Sequence, residues 1–175
     1  MPLPGKTRTG KPRWLSARLF CATCLLLLTA GILQAASPSL GSIIPRGGQR
    51  GTELEVNFNG DRLADVKEIL FYSPGFSLVE FKVTNPKHVL ARVKIAADCR
   101  LGVHAMRLRT ATGISDMKTF FVGSLAEVAE KEPNSDFAAP QKISLNSTVS
   151  GIVQSEDVDY YTFEVKKGQR ISAEI

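Results

Sequence analysis

Histidine, tryptophan and cysteine are scarce in this chain: two, one and three among 175 residues. Each scarcity excludes a class of chemistry. His88 and His104 lie sixteen residues apart, and neither has a Cys or acidic ligand at zinc-like spacing beside it, which argues against a structural zinc site. There is no Gly-x-Ser-x-Gly, no His-Glu-x-x-His and no convincing Ser/His/Asp set, so hydrolysis has no motif to rest on and the chain reads as a non-enzyme. Cys21 and Cys24 fall in an N-terminal apolar run that reads as a leader, which leaves Cys99 alone. No intramolecular disulfide can form in the remainder. Cys99 has no base near it in sequence and reads as a small buried apolar residue. Apolar periodicity of 3.6 over helical length is missing too, so the body of the chain is expected to be all-β.

Charge is unevenly placed. Lys and Arg total 22 against 17 Asp and Glu. Lys6, Arg8, Lys11, Arg13 and Arg18 stand in the first 36 residues, which contain no acid, so everything beyond is electroneutral. A neutral body with interspersed signs offers no footprint for phosphates, which excludes nucleic acid as the expected partner. The basic stretch precedes an apolar run over residues 19–33 and then Gln34-Ala35-Ala36-Ser37, the order of a secretory signal cleaved near Ala35–Ala36. The run is shorter than the roughly 20 residues a spanning helix needs, so no stable membrane span is expected after leader removal. With no cysteine beside the cleavage point, soluble release is expected over lipid anchoring. Residues 1–36 are thus assigned to a signal peptide.

Residues 38–123 consist of short alternating runs punctuated by Gly, Pro, Asn and Asp. In Thr52–Asn59, Leu54, Val56 and Phe58 share one face and Glu53, Glu55, Asn57 and Asn59 the other, the pattern of a half-buried strand. Further strands are expected at Leu40–Ile44, Glu68–Tyr72, Ser77–Lys82, His88–Ile95, Gly102–Thr110 and Thr119–Val122. Seven strands in this length suit an immunoglobulin-like sandwich. Arg46-Gly47-Gly48-Gln49-Arg50-Gly51 lacks the Lys-Ser/Thr of a phosphate loop and precedes a strand, so it reads as a turn. The run Ser39–Thr52 followed by Val56-Asn57-Phe58-Asn59-Gly60, with Leu101–His104 and Thr112–Ser115 later, resembles the IPT/TIG domains, immunoglobulin-like folds of extracellular proteins. That resemblance implies a spacer or binding module without catalytic residues.

Residues 124–133 read as a charged linker of one or two helical turns ending at Pro133. Strands are then expected at Lys142–Leu145, Ser147–Gly151, Asp159–Val165 and Arg170–Ile175, with Tyr161, Phe163 and Val165 facing Ile171, Ala173 and Ile175 across the Lys166-Lys167-Gly168-Gln169 turn. So few strands cannot bury a sandwich core, so a truncated domain is expected. Glu132-Pro133-Asn134 with Ala138-Ala139, Val149–Val153, Asp157–Phe163 and Lys167-Gly168-Gln169-Arg170 resemble the first half of a bacterial pre-peptidase C-terminal (PPC) domain. The resemblance covers about residues 130–175 and implies a jelly-roll-like accessory sandwich, often attached to secreted peptidases. The expected fold class is therefore all-β, with tandem β-sandwiches: immunoglobulin-like first, then an incomplete PPC-type domain over 134–175.

A hard-cation site can be argued from the residues themselves. Glu130, Glu132 and Asn134 recur with period two, so in an extended segment their oxygens share a side. Asp157 and Asp159 share the parity of Tyr161, Phe163 and Val165, which aims both carboxylates at the core edge, where unpaired charge is costly. Calcium would neutralise them. Calcium-binding PPC relatives resemble this arrangement, though they often carry Asp after the Asn where this chain has Ser135. The competing reading is that Glu130 and Glu132 are solvated linker charges and the aspartates cap a turn. Tyr160 points opposite to Tyr161 and is the candidate exposed aromatic for a bound polymer. Together these readings describe a secreted bacterial, cell-exterior binding or spacer protein. Its expected partner is an extracellular polymer or surface protein. The alternative is an accessory part of a secreted hydrolase.

Overall fold

The computed structural model describes residues 1, 5, 37–152, 155 and 158–174. The expected leader and the candidate ligand Asp157 lie outside the described residues. Among those described there is no helix, and hence none long and apolar enough to cross a membrane. The account below concerns the compact unit Ser37–Ile175.

Eight strands, β1 (Ser39–Ile44), β2 (Gly47–Gln49), β3 (Glu53–Asp61), β4 (Val66–Phe71), β5 (Phe76–Asn85), β6 (His88–Ile95), β7 (Gly102–Thr110) and β8 (Lys118–Gly123), form two four-stranded sheets. Their orders are β1-β3-β6-β5 and β2-β8-β7-β4. Leaving out the three-residue β2, the first, second, fifth and fourth strands share one sheet, and the third, sixth and seventh the other. That is the strand distribution of an immunoglobulin sandwich. All seven expected strands are present; β2 is the addition. It runs parallel to β8, with Gly47 opposite Phe121, and the Phe121 N–H donates to the Arg46 carbonyl at 2.8 Å. No alternation marks three residues that are mostly glycine, so periodicity could not find this strand.

Alternation determines what each sheet buries. On β3, Val56 and Phe58 are fully buried, and Leu54 packs against the same cluster from its margin. On β7 and β8 the inward set is His104, Met106, Leu108, Phe120 and Val122. With Val89, Ala91, Val93 and Ile95 of β6, the apolar members of these sets join one core. Cys99 is buried against it; desolvation, and then the neighbouring Asp98 charge, push its thiol pKa up, as an inert apolar role requires. Neither imidazole has a metal-like environment. His104 Nε2 donates to the Arg100 carbonyl at 2.6 Å, and His88 lies between Thr84 Oγ1 and Asn57 Oδ1.

The later residues depart from expectation in two places. The linker expected to turn helically is instead strand β9 (Ala126–Ala129), which pairs in parallel with β11 (Ser147–Ser150). Four backbone positions gain cross-strand partners that an isolated two-turn helix could not supply, since so short a helix lies below the length at which propagation offsets nucleation. The Lys166–Gln169 turn forms, with the Gln169 N–H on the Lys166 carbonyl at 3.0 Å and Gly168 at φ 86°. The hairpin across it does not: only β12 (Tyr161–Thr162) is a strand, paired in parallel with β10 (Gln141–Lys142). Phe163, Val165 and Ile171 are exposed. A two-stranded ribbon with no third strand or covering layer buries too little to hold its ladder.

Candidate metal centre

The site is assembled by backbone pairing on both sides of Glu130. The Glu130 N–H donates to the Ser150 carbonyl at 3.0 Å, continuing the β9–β11 ladder by one residue. Gln141 then ties the exit of β9 to β10: its Oε1 accepts from the Lys131 N–H at 2.8 Å and its Nε2 donates to the Ala129 carbonyl at 3.0 Å. On the far side, the Tyr160 N–H donates to the Asn134 carbonyl and the Gln141 N–H to the Tyr160 carbonyl, each at 2.9 Å. These bonds bring Asp159 and Tyr161 against the 130–134 segment.

At the centre, one ligand oxygen each from Glu130, Glu132 and Asp159 lies within 4.8 Å of the others. Glu130 Oε1 accepts from the Tyr161 hydroxyl at 2.7 Å and from Asn134 Nδ2 at 3.3 Å. Its Oε2 accepts from the Ile152 N–H at 2.8 Å. Glu132 Oε2 accepts from the Asn134 N–H at 3.0 Å. Asn134 is 1% exposed, and its Oδ1 has no hydrogen-bond partner among the described residues. A buried amide oxygen without a donor is costly. The three carboxylates, two of them held by Asn134 donors, form an oxygen set of the kind a hard divalent cation takes.

Four of the five expected ligands are therefore brought together: Glu130, Glu132, Asn134 and Asp159. Alternation identified Tyr161 as core-facing but could not show that its hydroxyl reaches Glu130, because that contact spans 31 residues. Tyr160 is half-buried, with its ring edge-on to Phe137 at 5.8 Å. The more exposed tyrosine is Tyr72, at 58%.

Two titrations follow from this network. The Tyr161 hydrogen bond, and then the Ile152 N–H, hold the Glu130 carboxyl below its ordinary value of 4.5. A lowered folded-state pKa stabilises above the unfolded value and is lost as pH falls through the folded one. Burial, and then the Glu130 hydrogen bond, raise the Tyr161 phenol above its ordinary 10.0. That contribution is present below pH 10.0 and is lost as pH rises beyond it. Thermal melts in chelator should therefore decline on both the acid and the alkaline side, and Tyr161→Phe should flatten the alkaline decline. An unchanged alkaline limb in Tyr161→Phe would contradict the contact.

No family model matches the chain, and no curated protein matches it. Among the solved structures that are similar at low identity are the following three. A Bacteroides ovatus mixed-linkage glucan utilization locus protein, SGBP-B, in complex with a mixed-linkage heptasaccharide, is 16% identical over 64% of this chain and 27% of its own, at TM-score 0.37. The BIgI domain of beta protein from S. agalactiae, bound to CEACAM1, is 14% identical over 49% of this chain and 94% of its own, at TM-score 0.33. The SrpA adhesin from Streptococcus sanguinis is 18% identical over 50% of this chain and 57% of its own, at TM-score 0.33.

Proposed function

We propose that this chain is a secreted, non-catalytic bacterial module that binds a polymer or surface protein outside the cell, or spaces a larger assembly, and that calcium clamps its second segment. The observation that carries the clamp is the cluster around Asn134: oxygens of Glu130, Glu132 and Asp159 lie within 4.8 Å of one another, and Asn134, 1% exposed, donates to both glutamates while its own Oδ1 has no partner among the described residues. Glu130, Glu132, Asn134 and Asp159 would hold the ion. When bound, it supplies positive charge that offsets the mutual repulsion of the carboxylates and satisfies the amide oxygen. The residues keep their own tasks. Glu130 links the Ile152 N–H to the Tyr161 hydroxyl, and Asn134 joins both glutamates. The clamp therefore ties the segment leaving the first sandwich to the one around Tyr161. The non-catalytic reading is supported by the sequence, which lacks hydrolase motifs, and by two histidines held in ordinary strand environments.

The test is thermal unfolding of the chain in chelator and in added calcium. Saturation at about 100 times the dissociation constant adds about 2.7 kcal/mol, so the melting temperature should rise by several degrees and return with chelator. Magnesium, which is smaller and holds its waters more tightly, should do less. No shift with calcium would overturn the clamp and leave the acids as surface charge.

A further inference from the structure

The first sandwich has a notch in one edge that the calcium reading does not involve. β2 is so short that it covers β8 only from Phe121 onward. Earlier in β8, Lys118 and Phe120 are paired to Met106 and His104 of β7, and among the described residues no strand is hydrogen-bonded to them on the other side. The Phe121 N–H points to the β2 side, since it donates to Arg46. Backbone groups of alternate residues in a strand point the same way, so the N–H and C=O of Thr119 are directed into the notch. A cleft of about 290 Å³ lies there. Its opposite wall includes Gly41 and Ile43 of β1, a strand at the edge of its own sheet.

The side chains around the cleft are of two kinds. Val103 and Phe121 are cross-strand partners on the outer face, 57% and 48% exposed, and together form an apolar step. Arg46 and Lys118 supply two cations, and no acidic side chain lines the cleft. An open strand edge beside an apolar step and two cations suits strand addition by an extended ligand; the nearest acid on β8's approach, Asp116, accepts from the Leu40 N–H at 3.3 Å.

We infer that this notch is a strand-addition site for an extended acidic peptide segment of a partner protein. The peptide continues the line of β2 along β8 and bonds to the Thr119 N–H and C=O. It sets an apolar side chain on Val103 and Phe121, and its carboxylates face Arg46 and Lys118. Main-chain pairing provides affinity in such a mode, and the alternate side chains and charge provide selectivity. The site lies on the first sandwich, so it stands or falls separately from the calcium clamp.

The probe is an N-acetylated octapeptide amide alternating valine with glutamate and threonine, titrated into the full chain in chelator and followed by backbone amide resonances. Saturable shifts centred on Thr119 and Phe121, with a dissociation constant on the order of 1 mM or tighter, are expected. The analogue with lysine for glutamate should bind at least about tenfold weaker, a difference of about 1.4 kcal/mol. Lys118→Glu should invert that preference. Thr119→Pro removes the donor on the open edge while leaving the β7-facing groups of Lys118 and Phe120 in place, and should abolish binding. If that variant does not fold, Lys118→Glu decides alone. Absence of saturation, shifts mapping elsewhere, or indifference to Lys118→Glu would overturn the site. Self-association through the same residues in sedimentation, or binding of polygalacturonate there in place of the peptide, would overturn the assigned occupant.

Discussion

Phe58→Ala is expected to destabilise the protein by about 3–5 kcal/mol, the cost of removing a large aromatic from a close-packed interior and leaving a cavity. Phe58 is fully buried on β3 opposite Val89 of β6, and both faces of the sandwich contribute to the cluster it fills. Urea unfolding should show a lower midpoint at unchanged slope. Phe121→Ala provides the contrast. Phe120 and Phe121 are adjacent, yet one is fully buried and the other 48% exposed, so Phe121→Ala should change stability by no more than about 0.5 kcal/mol. Comparable losses in the two variants would mean that the alternation on β8 is misread.

That contrast also shows why the first sandwich was legible. Period-two alternation is a local property, and where one face is buried it fixes register, because a slip by one residue would turn Phe58 to solvent. Glycines carry no such signal. Gly60 looks like the end of a strand, but it lies within the β1–β3 ladder opposite Leu40. A Cβ there would stand 2.0 Å from the Ser39 carbonyl oxygen. Gly75, at φ 98°, would place a Cβ 2.7 Å from Cys99 Sγ. Both are demanded by chain segments more than twenty residues away, which no local pattern reports.

The second segment was less legible because its pairing is parallel and long-range. Parallel strands need long connections, and neither β9–β11 nor β10–β12 is signalled by a turn. The alternation of Tyr161, Phe163 and Val165 was present, but no covering layer is available to it among the described residues, and Phe163 and Val165 remain exposed. The acidic cluster could be read further, because the period-two spacing of Glu130, Glu132 and Asn134 needs only local extension. What that spacing could not convey is the difference between the two glutamates.

That difference is the basis of the second large effect. Glu130 accepts from Tyr161, Asn134 and Ile152, and a Cβ on Gly151 would meet its Oε2 at 2.6 Å, so the chain is closed around this carboxylate. Glu132 is exposed and accepts from the Asn134 N–H. Glu130→Gln replaces one acceptor oxygen with an N–H group that cannot receive the Ile152 N–H or the Tyr161 hydroxyl. Placed toward Ile152, the new N–H opposes a backbone donor. Placed toward Tyr161, it makes the hydroxyl turn to accept and opposes Asn134 Nδ2 as it now stands. Either orientation loses charge-assisted bonds and disturbs the network. The melting temperature should fall by several degrees in chelator, before any ion is involved, and amide exchange should accelerate around Ile152 and Tyr161. Glu132→Gln should be nearly silent in chelator, since a side-chain carbonyl can still accept from Asn134, and should instead suppress the rise that calcium produces. If both variants behave alike in chelator, Glu130 is not the hub that the hydrogen bonds describe. If both retain the full calcium response, the cation is held elsewhere. The first pattern, with Glu130 costly without calcium and Glu132 costly only with it, follows if Glu130 shapes the site and Glu132 completes its charge.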